Sequence, residues 1–203
     1  MFNGFKYWMV SCIFCSGVSF NMWAAGFASG TGTVEDPYVV STADELNSVR
    51  DNLSAHYKLG ADIDLANWIT INTPATGWAP IGTDTSPFVG TFDGNGHVIE
   101  NADAANVGLF GVIGGDVTIQ KLGVIVADGK KITGSSNVGI LVGLSTGVGG
   151  TKQTLIQEVY VSGNVESKGT LVGGIVGRNN NYYQLLRKRK CICYSRRCRW
   201  NYR

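Results

Sequence analysis

The sequence NVGLFG at residues 106–111 recurs as NVGILVG at 137–143 and again as LVGGIVG at 171–177. The last glycines of these three glycine boxes, Gly111, Gly143 and Gly177, follow one another at intervals of 32 and 34 residues. Self-similarity at a fixed period of about 20 to 50 residues is typical of repeat architectures. The boxes therefore predict a chain that folds as stacked coils.

Apolar and polar residues alternate between the boxes, in the segments 117–124 and 155–163. Because alternate side chains of a strand point to opposite faces, each segment presents one apolar face. We expect five side chains to point inward and stack between coils, namely Ile119, Val124, Ile156, Val159 and Val161. The box glycines permit bends and close backbone approach. We assign this structural role to Gly108, Gly111, Gly139, Gly143, Gly173, Gly174 and Gly177.

The composition agrees with an all-β chain of short strands, since glycine is abundant at 28 residues and proline is scarce at 4. A turn is predicted between a strand ending at Phe92 and another beginning at His97. Asparagine and glycine tolerate positive φ, and this turn consists of Asp93, Gly94, Asn95 and Gly96. The period in the low thirties favours a β-solenoid, with a compact β-sandwich as the alternative.

Residues 29–56 precede the strand-rich region and are predicted to form an N-terminal cap. A short strand at 37–40 is followed by Ser41 and Thr42, either of which can cap a helix of about ten residues. Leu46, Val49 and Leu53 have the spacing of one helix face. Such a helix would cover the unpaired backbone at the end of the first coil.

Several of these sequence segments resemble segments of bacterial surface proteins that carry GLUG repeats. The resemblance covers residues 30 to about 178 and includes GTGT at 30–33, DPY at 36–38, ADIDL at 61–65 and WAPIG at 78–82, together with 88–99 and the boxes. It implies a right-handed parallel β-helix, here residues 57–180. Such modules occur in adhesins, in haemagglutinin-like proteins and beside the protease domain of some immunoglobulin-cleaving metallopeptidases. The resemblance implies no shared catalytic residues.

Residues 1–28 have the order of regions of a signal peptide. One charge at Lys6 precedes an apolar run, and small residues follow at 24–26 and at Ala28. Cleavage after Gly26 or after Ala28 meets the requirement for small residues. Polar residues and glycine interrupt the apolar run from Ser16 onward, which argues against a permanent membrane span. We therefore expect a protein that is secreted or displayed at the cell surface.

The tail at residues 181–203 departs from the repeat pattern. Eight of the 17 Lys and Arg residues lie between Arg187 and Arg203, which leaves nine basic against 15 acidic residues before them. The acidic body argues against a nucleic-acid-binding groove. Cys191, Cys193 and Cys198 form no CxxC pair and have no nearby histidine, so a zinc site is not expected.

The tail has two explanations: a basic segment that binds anionic partners, or a frameshift near 179–181, which we favour. Permitted codons for 181–203, taken one base later, can encode another strand and another glycine box. The unique codon of Trp200 followed by any asparagine codon forces a glycine in that frame. The expected result of resequencing the gene beyond Arg203 is further repeat-coding sequence in the shifted frame. A stop with no such sequence would leave the basic tail as genuine.

Candidate catalytic residues are few. Asp62, Asp64 and Asp93 are the carboxylates to consider for acid and base chemistry, and Asp62 and Asp64 share a face if they lie on a strand. Their structural interpretation is that they bond to neighbouring turns. A calcium site between Asp62 and Asp64 would lack further ligands. His56 and His97, the two histidines, lie in no HExxH motif and beside no nucleophile.

The sequence thus predicts a non-catalytic structural or adhesive module without a cofactor. Its candidate partners are host or cell-envelope glycans or proteins. Four aromatic residues could stack on sugars if they were exposed in a row, but such residues more often fill a β-helix core. They are Trp68, Trp78, Tyr57 and Tyr160. The alternative function is a carbohydrate-active enzyme of the polysaccharide lyase or hydrolase type, for which three acidic residues and a basic one should cluster on one outer face.

Overall fold

The computed structural model describes residues 26–104, 107–146, 154–169 and 171–180. Its helices are α1 (Ala43–Ser48), which a 3-10 turn at Val49–Asp51 continues, and α2 (Ala66–Asn72). Its strands are β1 (Tyr38–Val40), β2 (His56–Leu59), β3 (Ile63–Asp64), β4 (Thr91–Asp93), β5 (Val98–Ala102), β6 (Phe110–Gly114), β7 (Thr118–Gln120), β8 (Gly123–Val126), β9 (Lys131–Gly134), β10 (Val142–Thr146), β11 (Leu155–Gln157), β12 (Tyr160–Ser162), β13 (Asn164–Ser167) and β14 (Val176–Asn179).

Parallel sheets run the length of the molecule. The first has the order β1-β2-β4-β7-β11, the second β12-β8-β5-β3 and the third β14-β10-β6, and β9 pairs with β13. The strands of every sheet pair in parallel, as in Phe92 opposite Ile119 and Ile119 opposite Ile156. One coil therefore visits each sheet in turn, for example through β7, β8, β9 and β10. The prediction of a parallel β-solenoid is confirmed, with about three turns, whereas the alternative β-sandwich is wrong because its sheets would be antiparallel.

The core lies inside the coils, where side chains of one sheet meet those of the next. Ile119 and Val124 are completely buried, and Ile156, Val159 and Val161 are at most 8% exposed. The alternation of the sequence thus places all five predicted side chains inward. Phe88, Phe92 and Phe110 add an aromatic layer to this core, with ring centroids 5.1 Å apart for Phe88–Phe110 and 5.5 Å apart for Phe92–Phe110.

The predicted cap helix begins after Thr42. The Thr42 hydroxyl accepts a hydrogen bond from the Glu45 backbone N–H at 3.2 Å, and the Glu45 carboxylate accepts one from the Thr42 N–H at 3.0 Å. This capping box satisfies backbone donors that the first helical turn leaves without partners. Leu46 and Val49 are completely buried, as the spacing predicts. Parallel pairing extends into this segment, because β1 pairs with β2.

Helix α2 is absent from the sequence prediction. Its residues, ANWITIN, include two isoleucines and a threonine, which are weak helix formers. Tertiary contacts stabilise it: Ile69 is 7% exposed, and the Trp68 ring lies 5.3 Å from that of Trp78. The Asp64 carboxylate accepts a hydrogen bond from the Ala66 N–H at 2.8 Å, at the start of the helix.

Two expectations fall largely on parts of the chain that the structure leaves undescribed. Residues 1–25 of the expected signal peptide and residues 181–203 of the basic tail lie outside the described ranges, and so do all five cysteines. Within the described ranges, no helix is both long and apolar enough to cross a membrane. The boundaries proposed for the leader, cap, repeat region and tail remain predictions.

Candidate functional site

The glycine boxes stack on one another, and their glycines permit the close approach. A Cβ atom at Gly108 would lie within 3.0 Å of the carbonyl oxygens of Gly139 and Ile140. A Cβ at Gly139 would in turn meet the backbone of Val142, Ile175 and Gly177 within the same distance. Backbone, unlike a flexible side chain, cannot move aside without breaking the coil. The boxes are therefore backbone-to-backbone contacts between coils.

Hydrogen bonds join the boxes in register. The Leu109 N–H donates to the Ile140 oxygen at 3.1 Å, and the Ile140 N–H donates to the Gly174 oxygen at 2.8 Å. The side chain of Ile140 points into the core and is 2% exposed. Three coils thus share one continuous ladder at this position. Four of the five remaining box glycines, Gly111, Gly143, Gly173 and Gly177, also lie where a Cβ would approach backbone atoms within 3.0 Å. The fifth, Gly174, contributes the oxygen that accepts from Ile140.

The predicted turn at 93–96 lies at the corner between the first and second sheets. Asn95 and Gly96 have φ of +53° and +88°, and the Asp93 carboxylate accepts a hydrogen bond from the Asn95 N–H at 2.8 Å. The Asn95 amide donates to the Leu59 oxygen of the preceding coil at 3.2 Å. A Cβ at Gly94 would lie within 3.0 Å of the Lys121 oxygen in the following coil. The turn therefore contacts a coil on each side.

A ladder of side-chain hydrogen bonds runs beside this corner. The Gln157 amide donates to the Gln120 oxygen at 2.8 Å, and the Gln120 amide donates to the Asp93 carboxylate at 2.9 Å. These three residues are paired partners in adjacent strands of the first sheet and are half-buried. A one-residue slip of any coil would break the ladder, because alternate residues point to opposite faces. The ladder therefore favours one register.

Replacing the middle member of the ladder should destabilise the fold. In Gln120→Leu, the Oδ2 atom of Asp93 loses its donor, although Oδ1 keeps the Asn95 N–H, and the Gln157 amide loses its acceptor. We expect a loss of about 1 to 3 kcal/mol in the free energy of unfolding, since half-buried polar groups are left without partners. Urea denaturation measures it. Asn164→Leu, which changes an exposed position on strand β13 away from the ladder, is the control, and an equal loss in both variants would contradict a role for the ladder.

Asp62 and Asp64 are bonded to the following coil. Asp62 accepts hydrogen bonds from the Val98 N–H at 2.9 Å and from His97, whose Nδ1 lies 3.0 Å from the carboxylate. Asp64 accepts them from the Ala66 N–H at 2.8 Å and the Asn101 amide at 2.7 Å. The backbone donor is the larger cause in each case, and these bonds hold the pKa of both carboxyl groups below their ordinary value of 3.8.

These depressed pKa values predict an acid-sensitive fold. A carboxyl group with a lower pKa in the folded state than in the unfolded state stabilises the fold. This stabilisation is complete when the pH is above the unfolded-state pKa, and it is lost as the pH falls through the folded-state pKa. We expect the double variant Asp62→Asn/Asp64→Asn to lose less stability than wild type between about pH 5 and pH 2. Urea denaturation at a series of pH values measures this. Glu35→Gln, an exposed carboxyl substitution elsewhere, should retain the wild-type slope.

The histidines have separate partners rather than a shared site. The Nδ1 atom of His56 lies 2.8 Å from the Thr91 hydroxyl, and His97 pairs with Asp62. Within the described ranges, no three His, Cys, Asp or Glu residues are grouped as a metal site would require. Asp62 and Asp64 bond to different groups of the neighbouring coil. The hydrogen bonds of these residues join coil to coil.

The four aromatic candidates occupy different environments. Tyr57 and Trp78 are core residues at 1% and 2% exposure, and the Tyr57 hydroxyl donates to the Asn52 oxygen at 2.7 Å. Trp68 is half-buried on Trp78 and donates to the Asp44 carboxylate at 2.7 Å. Tyr160 differs from these three, because it is 42% exposed. They form no exposed aromatic row.

Tyr160 borders an open groove of about 410 Å³ at the corner between the first and second sheets. This corner groove is lined by Asn95, Gly96, Lys121, Leu122, Gly123, Glu158 and Tyr160. Asn95, Lys121 and Glu158 occupy the corner in three successive coils, with φ of +53°, +51° and +53°. Positive φ is uncommon for lysine and glutamate. Lys121 and Glu158 were not among the residues predicted from the sequence. The signal that could have indicated them is their shared position just after the third residue of strands β7 and β11.

No protein-family model matches the chain. It is 35% identical, over 184 residues, to "Putative Gly-rich membrane protein" of Evansella cellulosilytica, a match that covers 75% of this chain and 21% of that protein. It is also 35% identical, over 162 residues, to "Halomucin" of Haloquadratum walsbyi, covering 73% of this chain and 2% of that protein. The chain is related to part of two larger proteins. It spans about a fifth of the first and a small fraction of the second.

Among solved structures, the chain is similar to one titled "Crystal structure of a putative immunoglobulin A1 protease from Bacteroides ovatus". The TM-score is 0.50 at 19% identity, and the match covers 77% of this chain and 66% of that one. At this identity the likeness concerns the fold alone. It agrees with the parallel β-solenoid described above.

Proposed function

We propose that this chain is a non-catalytic β-solenoid module of a larger cell-surface protein, with a structural or adhesive role. The observation that carries the proposal is the stacking of the glycine boxes, because the most regular part of the chain forms contacts between coils. In a solenoid each coil is stabilised by its neighbours, so coils can be added to lengthen a stalk. The small share of each curated relative that the chain covers also supports a module within a longer protein.

The proposed family is that of the GLUG-repeat surface proteins, which carry such solenoids. The glycine boxes, the WAPIG segment at 78–82 and the turn at 93–96 support this assignment. In the structure, Trp78 is buried and its indole N–H donates to the Leu109 oxygen at 3.3 Å, which links the WAPIG segment to the first box. The repeat motifs thus contribute contacts between coils.

A surface location can be tested on intact cells. We expect antibodies raised against the purified chain to label unpermeabilised cells of the source organism, and external protease to remove that label. A cytoplasmic protein tested in parallel should be labelled only after lysis. Labelling of this protein that also required lysis would overturn the proposed location.

Of the two cleavage positions, we propose that the leader is removed after Gly26. Phe27 is 9% exposed, and its ring stacks on Tyr38 with centroids 4.6 Å apart, so cleavage after Ala28 would remove a core residue. The expected result of N-terminal sequencing of the exported protein is a chain beginning at Phe27. A mature chain beginning at Ser29 would contradict this proposal, and an intact leader would contradict export by this route.

The absence of catalysis is a separate proposal with its own measurement. Asp62 and Asp64 have hydrogen bonds that join coils, which leaves them poorly suited to move protons during a reaction. We expect no reducing ends and no unsaturated sugars to appear when the full chain is incubated with neutral and acidic polysaccharides. Release of either product that is lost in Asp62→Asn or Asp64→Asn would establish the alternative, a polysaccharide hydrolase or lyase.

A further inference from the structure

The corner groove has the features of a built site. The backbone places Asn95, Lys121 and Glu158 at one corner, where the Gly96 N–H donates to the Lys121 oxygen at 2.9 Å and the Lys121 N–H donates to the Gln157 oxygen at 3.2 Å. Adjacent parallel strands lie about 4.8 Å apart. An amide, an ammonium and a carboxylate are therefore presented side by side from consecutive coils, and all three residues are exposed.

Tyr160 has a defined place beside these groups. It is the register partner of Gly123, and a Cβ atom at Gly123 would lie within 3.0 Å of the Tyr160 Cε1, Cζ and hydroxyl oxygen. The ring consequently lies over the backbone of the preceding coil, in space that any side chain at position 123 would occupy. Its contact with Gly123 restrains the ring, while 42% of the residue stays exposed. A restrained and exposed ring is a suitable platform for a ligand.

The chemistry of the lining indicates the class of ligand. An aromatic ring offers a face for C–H groups. The Lys121 ammonium supplies hydrogen-bond donors, and the Glu158 carboxylate and the Asn95 amide oxygen supply acceptors, since the Asn95 amide nitrogen donates to Leu59. Lys121 and Glu158 carry opposite charges, so the groove favours neither an anion nor a cation. The volume of about 410 Å³ lies in the range of small-ligand sites. A ligand with apolar C–H faces and many hydroxyl groups, without net charge, matches these features.

We infer that the corner groove binds a neutral oligosaccharide, with Tyr160 stacking on a sugar ring and Lys121, Glu158 and Asn95 bonding to its hydroxyl groups. The inference rests on the proposed adhesive role and names the ligand class and the binding site for that role. Gly123 is a positioning residue, because its missing side chain lets the Tyr160 ring lie against the backbone of the preceding coil.

The test uses the full chain and four neutral hexasaccharides as probes: maltohexaose, cellohexaose, laminarihexaose and mannohexaose. Isothermal titration calorimetry and saturation-transfer NMR measure binding. We expect at least one probe to bind wild type, Tyr160→Ala to weaken its binding about tenfold or more, and Tyr160→Phe to retain it. Lys121→Asn and Glu158→Asn should each weaken it several-fold. Asparagine tolerates positive φ, so these variants remove the charge while preserving the corner.

The control is Ile71→Ala, which changes an exposed apolar residue on α2 outside the groove and should bind as wild type does. Circular dichroism of each variant establishes that it is folded. Three results would overturn the inference: no binding of any probe at about 10 mM, unchanged binding by folded Tyr160→Ala, or binding confined to anionic polymers such as heparin. The two proposals can fail separately. Failure of glycan binding with successful surface labelling would overturn this inference alone. Release of sugar products would overturn the proposed non-catalytic function instead.

Discussion

Gly139→Ala is expected to lower the free energy of unfolding by about 3 kcal/mol or more, although it adds a single methyl group. The new Cβ would lie within 3.0 Å of the Val142 and Ile175 oxygens and of the Gly177 nitrogen. These atoms belong to the backbone of the second and third boxes. Relief of the clash therefore requires the second box to change its own backbone conformation at Val142 and to separate from the third box, which breaks hydrogen bonds in the shared ladder. Urea or thermal denaturation followed by circular dichroism measures the loss.

Two further glycine variants make this prediction specific. Gly111→Ala should cost less, because its Cβ would approach one backbone oxygen, that of Gly82, within 3.0 Å, and its next contact, with the Pro80 Cβ, is longer at 3.1 Å. Gly129→Ala would meet open space and should cost about 1 to 2 kcal/mol, the cost of its positive φ of +72°. The expected order of destabilisation is 139, 111, 129. If Gly129→Ala were the most destabilising of the three, steric contact between the boxes would not explain their glycines.

Phe110→Ala is expected to cost about 3 to 5 kcal/mol, the usual range for removing a buried aromatic ring. Phe110 is completely buried on strand β6 and contacts the rings of Phe88 and of Phe92 on strand β4. The cavity would lie between coils, where rigid strands on either side limit its collapse. Each coil of a solenoid is stabilised by its neighbours, and this solenoid has only about three turns. We therefore expect unfolding to remain cooperative and the midpoint of the transition to shift to lower urea concentration.

The matched control for Phe110→Ala is Val34→Ala. Val34 is 67% exposed, so its substitution should change the stability by less than about 0.5 kcal/mol. A cost below about 1 kcal/mol for Phe110→Ala would mean that the aromatic layer is loosely packed. Its contribution would then be closer to that of a surface residue than to that of a core residue.

The sequence by itself determined the repeating coil and the residues that point into its interior. The interval of 32 to 34 residues between boxes predicts the repeat, and the two-residue alternation predicts that Ile119, Val124 and Ile156 point inward. The sequence also predicted a helix cap at Ser41 or Thr42, and the structure has it at Thr42, in a capping box with Glu45. These features are local, because each depends on the spacing of residues within one strand, one turn or one helix end.

Only the tertiary structure decided which residues meet across coils. Helix α2 consists of weak helix formers and depends on packing against Trp78. The ladder joins residues 27 and 37 positions apart. Tyr57 and Tyr160 look alike as aromatic strand residues, yet one is buried and the other overlies Gly123 at the corner groove. Such contacts depend on the register between coils and on the length of each intervening loop, so the pattern within a single coil does not contain them.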